Sequence, residues 1–256
     1  MKSDLFVLKG KVAVVTGGNG GIGLGMARGL ADAGADIAVV GRNEQKSKAA
    51  VAELASRGVR AISVATDVTD KDAVSRMVER VKGELGRVDI LVNNAGINIR
   101  KPPHTLDIEE WKSVLDTNLT SAFLCSKAVH AAMKAAGGGK IINIGSMMSI
   151  FATSFAPAYA ASKGGIVQFT RACACAWASD NIQANAILPG WIDTDLTKRA
   201  RVEVSGLHER VLARTPAARW GAIEDFAGIA VFLASPASDF ITGTAVPVDG
   251  GFSIMG

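Results

Sequence analysis

Tyr159 and Lys163 stand four residues apart in YAASK, and Ser146 precedes the tyrosine by 13 residues. On a helix that spacing puts the phenol and the ammonium on one face. Tyr159 is also the single tyrosine of the chain. A free phenol ionises near pH ~10, and service as a base near neutrality needs a drop of ~2 to 3 units, about 3 to 4 kcal/mol. An ammonium ~5 Å away at an effective dielectric of ~20 supplies about 3 kcal/mol. The chemistry implied is proton transfer at a substrate oxygen, with Lys163 lowering the phenol's pKa and Ser146, at a strand end, meeting the same oxygen. By itself such a pair is an ordinary helix surface, so the weight comes from its neighbours. Asn118, in DTNLTSAF, is expected inside a long helix that begins near Asp107. A carboxamide is unfavourable there without a partner, so Asn118 is either a satisfied buried amide or a member of the site.

A second group of residues suits phosphate. Gly17, Asn19, Gly20, Gly21, Ile22 and Gly23 follow an apolar run and open a helix reaching Ala33. Glycines let the backbone turn tightly and approach a pyrophosphate, whose charge the free N–H groups and positive end of the helix stabilise. After the second apolar run come Gly41, Arg42 and Asn43, with no acid to hold ribose hydroxyls. Arg42 either pairs with a 2′-phosphate, which an acid would repel, or is a solvated arginine at a helix start.

Positioning these groups requires strands. KVAVVT (11–16), DIAVVG (36–41), RAISVA (60–65), DILVNN (89–94), KIINIG (140–145) and IQANAIL (182–188) alternate with helical patterns, and a last strand is expected at 245–248. β-Branched runs without in/out alternation fit a parallel sheet covered on both faces, so residues 1–256 read as one α/β domain, a Rossmann-type doubly wound sheet. Ligands should then bind at the carboxyl ends of the strands. Residues 137–139 read as a helix stop. The long stretch 189–220 breaks the rhythm and reads as a mobile substrate lid with short helices.

The composition excludes other classes. The chain has 256 residues, 48% hydrophobic and 20% charged, with net charge 28 − 24 = +4. That length suits one core rather than two independent domains. The charge is spread without a basic block, which disfavours nucleic acid. Asp4 and Lys9 interrupt any leader-like apolar stretch, and no apolar run approaches the ~18 to 20 residues of a membrane span, so a cytoplasmic protein is expected. Of three cysteines, Cys173 and Cys175 are two apart on a helix and face different ways, so no metal site is expected.

Taken together, TGxxxGIG at Thr16 to Gly23, NNAG at Asn93 to Gly96, the set Asn118, Ser146, Tyr159 and Lys163, and PGxxxT at Pro189 to Thr194 resemble the short-chain dehydrogenase/reductase family, over the whole chain. The resemblance implies that Tyr159 is the general acid/base and Ser146 polarises the carbonyl. It implies that Lys163 holds the nicotinamide ribose and lowers the Tyr159 pKa, while Asn118 positions a water in a proton relay. It further implies contacts from Asp67 and Val68 to the adenine, from Asn94 to the adenine side of the cofactor, and from Ile192 and Thr194 to the carboxamide. DLFVLKGKVAVVTG, GKIINIGSMMS, RTPAARWG and SDFITGTAVPVDGGFSIMG are similar to the sugar-acid branch, which includes gluconate 5-dehydrogenases and 2-deoxygluconate 3-dehydrogenases. One position departs from the family's NADP pattern, in which Arg or Lys often precedes the second glycine of the turn; here Gly20 stands.

The expected activity is NAD(P)-dependent interconversion of a ketone and a secondary alcohol, with NADP preferred. The substrate is expected to be a small molecule: a sugar acid, a polyol, or a small cyclic or hydroxylated ketone. A 3-oxoacyl thioester reductase is the alternative enzyme. A non-catalytic cofactor sensor is the alternative of another class, although a chain without turnover has no physical reason to keep Tyr, Lys, Ser and Asn together. Ile97, Asn98, Met147, Met148, Ile150 and Trp191 flank Ser146 and Tyr159 and are expected to line the substrate pocket. Arg100 is either a carboxylate ligand or a surface or interface arginine. The apolar ending Val246, Pro247, Val248, Phe252, Ile254 and Met255 would be exposed in a monomer. The family resemblance implies a homotetramer built on the helices that carry Asn118 and Tyr159.

Overall fold

A computed structural model describes residues 4–255. Its seven strands are β1 (Val12–Thr16), β2 (Asp36–Val40), β3 (Ala61–Val64), β4 (Ile90–Asn93), β5 (Gly139–Ile144), β6 (Ile182–Pro189) and β7 (Ala245–Val248). They form one parallel sheet in the order β3-β2-β1-β4-β5-β6-β7. The helices are α1 (Gly21–Asp32), α2 (Glu44–Ala55), α3 (Lys71–Leu85), α4 (Ile108–Leu115), α5 (Ser121–Ala135), α6 (Pro157–Trp177), α7 (Asp195–Glu203), α8 (Leu207–Arg214) and α9 (Ala227–Ala234). Every residue of β1, β4 and β6 is buried, which is why these strands read as continuous apolar runs. On one face Leu30, Phe226 and Leu233 pack on Ile37 and Val92; on the other Met77, Val81 and Met133 pack on Val14 and Leu91.

The strand order reverses between β1 and β4, and the crevice beyond their carboxyl ends is where such a sheet receives a ligand. Helix starts are specified locally. Asp70 accepts from Asp72 and Ala73 N–H to cap α3, Asp107 and Glu110 form a reciprocal capping box on α4, and Pro157 occupies the first position of α6. Gly137 (φ +85°) ends α5 just before β5, as the glycine run predicts.

The single long helix expected from Asp107 is not continuous. A wide π turn over Asp116–Thr120 separates α4 from α5, and Asn118 lies in it. The bulge admits one extra residue, and Ser121 Oγ bonds Thr117 O at 2.6 Å beside it. Residues 190–220 carry α7 and α8, anchored at both ends by a bridge between Ile192 and Gly221. Among the described residues no helix is long and apolar enough to cross a membrane.

Candidate active site

The glycine turn after β1 is a close-packed cradle. A Cβ on Gly23 would lie 2.4 Å from Gly17 O, and one on Gly17, at φ +63°, would meet Asn94 Nδ2 at 2.8 Å. Asn94 Nδ2 donates to Thr16 O and Gly17 O, and Thr16 Oγ1 accepts from the N–H of Asn94 and Ala95. The ends of β1 and β4 are thereby tied together. In front of them runs a groove in two connected parts, of about 420 and 670 Å³. Gly17, Asn19, Gly20, Gly21, Ile22, Asn94, Tyr159, Lys163 and Thr194 line the first part; Arg42, Asn43, Asp67 and Val68 line the second. An extended two-part groove with a glycine floor at a helix N-terminus fits a dinucleotide.

Two of the expected cofactor residues are placed otherwise. Gly23 lies buried beneath the turn rather than in the groove. Ile192 points away from it: its side chain is buried in the core, in van der Waals reach of Gly221, because the bridge turns it inward. The missing acid at Gly41 has a packing reason. A Cβ there would stand 2.7 Å from Asn19 Nδ2, which donates to Ser47 Oγ at 3.0 Å. Arg42 is largely exposed and 3.9 Å from Asp67, whose carboxyl is held below its usual range by hydrogen bonds from Thr69 N–H and Oγ1. Lys46, which the sequence reading missed, lines both parts of the groove and faces Asp195 at 3.5 Å. Its only sequence signal is a position four residues after Arg42, in the first turn of α2.

Ser146, Tyr159 and Lys163 converge where β5 and α6 meet. Ser146 caps a one-turn helix over Met147–Ser149: its Oγ accepts from Met148 N at 3.1 Å, which leaves the hydroxyl proton available. Lys163 is buried and donates to Ile144 O at 2.6 Å, while Ser149 Oγ donates to Lys163 O. Asn118 is fully engaged: Oδ1 accepts from Ile97 N at 2.8 Å, and Nδ2 donates to Ile97 O and to Ser162 Oγ, each at 3.0 Å. Ser162 Oγ in turn donates to Tyr159 O. Asn118 thus pins the chain after β4 to the turn of α6 that carries the tyrosine.

Burial pushes the Tyr159 phenol up, opposed by a hydrogen bond with Ser146 and by the charge of Arg100. Lys163 Nζ lies 5.6 Å from the ring centre, gives one of its three N–H donors to Ile144 O, and is pushed down by burial to about 8. Burial thus disfavours the charged form of both groups.

Beside Tyr159 opens a smaller cavity of about 100 Å³. Asn98, Ser146, Met147, Met148 and Trp191 line it as expected from their neighbourhood, joined by Arg100, Thr153, Phe155, Leu196 and Thr197. Ile97 and Ile150 do not. Ile97 faces the second part of the groove, since Asn118 holds its backbone, and Ile150 is 56% exposed because the Met147–Ser149 turn swings it outward. Asn98 Oδ1 is buried without a hydrogen-bond partner. Of the apolar ending, Phe252 is already buried against Phe151 and Trp191, whereas Ile254 is 85% exposed.

Comparison with known proteins narrows the reading. Residues 17–253 match the family model described as enoyl-(acyl carrier protein) reductase. The chain is 44% identical over 252 residues to a 2-dehydro-3-deoxy-D-gluconate 5-dehydrogenase of Formosa agariphila, covering 98% of this chain and 96% of that one. It is 39% identical to a gluconate 5-dehydrogenase of Gluconobacter oxydans, covering 98% of each. A crystal structure of a gluconate 5-dehydrogenase from Burkholderia cenocepacia, in complex with NADP and tartrate, superimposes with a TM-score of 0.93 at 40% identity, again over 98% of each chain.

Proposed function

Because the chain belongs to the short-chain dehydrogenase/reductase family, and is accordingly an NAD(P)-dependent oxidoreductase that interconverts ketones and secondary alcohols, we propose that its substrate is a sugar acid bound with its carboxylate toward Arg100. The observation that carries this is Arg100 itself. Its side chain is only 13% exposed and lines the same cavity as Ser146 and Tyr159, so a small polyhydroxy acid reaches guanidinium, hydroxyl and phenol at once. The curated relatives named above support the same class.

A nicotinamide cofactor bound in the groove would supply or accept the hydride. Tyr159, protonated at neutral pH, donates to the substrate oxygen in reduction and takes the proton back in oxidation. Ser146 offers its hydroxyl proton to the same oxygen, its Oγ being held by Met148 N–H. Lys163 would hold the cofactor ribose from the floor of the groove, with Gly17, Asn19, Gly20, Gly21, Ile22, Asn94 and Thr194 along its length. Asn118 sets the spacing between the β4 loop and α6; with both amide hydrogens spent, its part in a water relay falls to its carbonyl oxygens. Asn98 Oδ1, lacking a donor, accepts from a substrate hydroxyl. Residues 189–220 act as the lid.

NADP is preferred, through Arg42 and Lys46 on a wall that has no acid at Gly41. The same reading makes the enzyme a cytoplasmic homotetramer; the exposed Phe123 of α5 and the exposed Ile254 and Met255 support association. The test is initial-rate kinetics with D-gluconate, 2-dehydro-3-deoxy-D-gluconate, D-glucitol and a 3-oxoacyl thioester, each with NAD(H) and NADP(H) in the direction its oxidation state requires. An acid with NADP(H) is expected to give the highest kcat/KM. A thioester as the best substrate, or glucitol equal to gluconate, would overturn the reading.

A further inference from the structure

Arg100 is not free in the cavity. Its Nη1 donates to Glu203 Oε2 at 2.7 Å and its Nη2 to Leu196 O at 3.3 Å, so the guanidinium lies along α7 and touches both its first turn and its last residue. Glu203 is poorly placed for the helix that bears it. The C-terminal end of a helix carries partial negative charge and favours cations, a preference that Arg201 satisfies in the same turn. The carboxylate therefore derives its stabilisation from Arg100, 103 residues earlier in the chain. Its side chain is 51% exposed against 13% for Arg100, so the acid reaches in from water toward a cation set at the cavity wall.

We propose that Glu203 is an internal occupant of the substrate-carboxylate site, holding Arg100 until a substrate's own carboxylate displaces it. The inference rests on the sugar-acid reading and adds the residue that sets its selectivity. A guanidinium has five N–H donors and binds a carboxylate best through two at once; Glu203 takes Nη1 and Leu196 O takes Nη2, so the end-on pair is occupied while Glu203 is in place. With Glu203 in place, Arg100 and Glu203 sum to zero charge, so an incoming anion is attracted only as Glu203 leaves. Leaving is cheap, since the acid is half in water and an exposed ion pair is weak. A neutral polyol cannot make the exchange, binds with the pair intact, and gains nothing from Arg100. Discrimination thus comes from an element that blocks the wrong partner as well as one that attracts the right one. Glu203 acts through Arg100 and touches no reacting atom.

The test measures kcat and KM for D-gluconate and for D-glucitol, which differ in the carboxylate, with the wild type, Glu203→Gln, Arg100→Ala and the double variant. Glu203→Gln should lower the gluconate KM about 3- to 5-fold, the scale of one exposed ion pair, with kcat and both glucitol constants within about twofold. Arg100→Ala should raise the gluconate KM at least about 10-fold, and adding Glu203→Gln to it should then do nothing. Glu203→Ala should reproduce the split and guards against a folding defect peculiar to the amide. Equal shifts for both substrates would show that Glu203 only braces the helix, and an unchanged or raised gluconate KM would likewise overturn the proposal. If the wild type handles gluconate no better than glucitol, the sugar-acid reading falls and this inference with it; if it prefers gluconate but Glu203→Gln leaves the ratio unchanged, only this inference falls.

Discussion

On one side of the cavity beside Tyr159, the side chains of Tyr159, Lys163 and Ser146 hang from β5 and α6 over a chain of buried amides and hydroxyls. Asn93 Nδ2 donates to Asn143 Oδ1 at 2.8 Å and to Ser126 Oγ at 2.9 Å, Asn143 Nδ2 donates to Thr170 Oγ1 at 2.9 Å, and Asn118 joins the β4 loop to Ser162. On the other side, α7 and α8 bury only Ala200, Leu207 and Val211 as their own cluster. That segment is held by surface contacts: Arg201 lies 4.0 Å over the Trp220 ring and pairs with Asp193, His208 stacks on the same tryptophan, and Arg100 reaches Glu203. Buried hydrogen bonds in a low dielectric are costly to break, whereas exposed pairs exchange readily with water. On the proposed assignment, the groups that move protons are therefore held by buried bonds that exchange slowly, and those that choose the substrate by exposed ones that exchange readily.

The sharpest way to test the rigid side is to remove its chemistry without disturbing its frame. Tyr159→Phe deletes the proton donor and keeps the ring, so kcat should fall by about 10² to 10⁴, with cofactor affinity and melting temperature nearly unchanged. Because Tyr159 is the only tyrosine, an absorbance titration of the wild-type protein reports this group alone, and its ionisation is expected above the ~10 of a free phenol. A loss of fold in the variant, or a phenol that titrates near 7 in the protein alone, would break the assignment.

Lys163 gives the next largest effect, and its sign follows from burial. Its folded pKa of about 8 lies below the unfolded value of 10.5, so the ammonium costs stability at neutral pH, and the cost is relieved as pH rises from about 8 to 10.5. The size is about 3 kcal/mol, taking ~1.4 kcal/mol per pH unit. Lys163→Met removes the charge, so its stability relative to wild type should be greatest near pH 7 and decline by that amount toward pH 10.5; the lost bond to Ile144 O adds an offset that does not vary with pH. Urea unfolding at a series of pH values measures the difference. A constant gap would mean that the ammonium is solvated.

The sequence made the rigid side legible and the other side much less so. The seven strands fall within a residue or so of their apolar runs, because a strand buried on both faces has few residue types open to it. Ser146, Tyr159 and Lys163 meet because strand end and helix face fix them locally. The partners of Asn118 could not be read: they are a backbone segment 21 residues away and a hydroxyl 44 away, and the π turn that aims the carboxamide has no compositional signal. Adjacency in sequence misled at Ile150, where a single turn of 3₁₀ helix reverses the direction of the side chain. Ile192, which the family resemblance assigns to the carboxamide, buries its side chain where a bridge joins it to Gly221. Within residues 190–220 the presence of helices was legible, but which cation meets which acid depends on how exposed side chains are set in space, and Glu203 and Lys46 carry no mark of their partners.

The smallest effect should fall on that exposed segment, and it is diagnostic because it should stay there. Arg201 joins α7 to Trp220 and Asp193, and its Nε is buried without a partner, so the stacking and one ion pair are what it contributes. Contacts of this kind at partly exposed sites are worth about 0.5 to 1 kcal/mol. Arg201→Ala should therefore leave urea unfolding almost unchanged while opening α7 and α8 up to about 5 times more often, since 1 kcal/mol corresponds to roughly that factor. Amide hydrogen exchange reads this directly: residues 196–214 should exchange faster by that factor, with β4, β5, β6 and α6 unaffected. The gluconate KM should rise modestly while kcat holds, because the proton-transfer groups do not depend on Arg201. If protection were lost equally in β5 and α6, the two sides would form one cooperative unit, and the contrast between a fixed catalytic wall and a yielding selective one would be wrong.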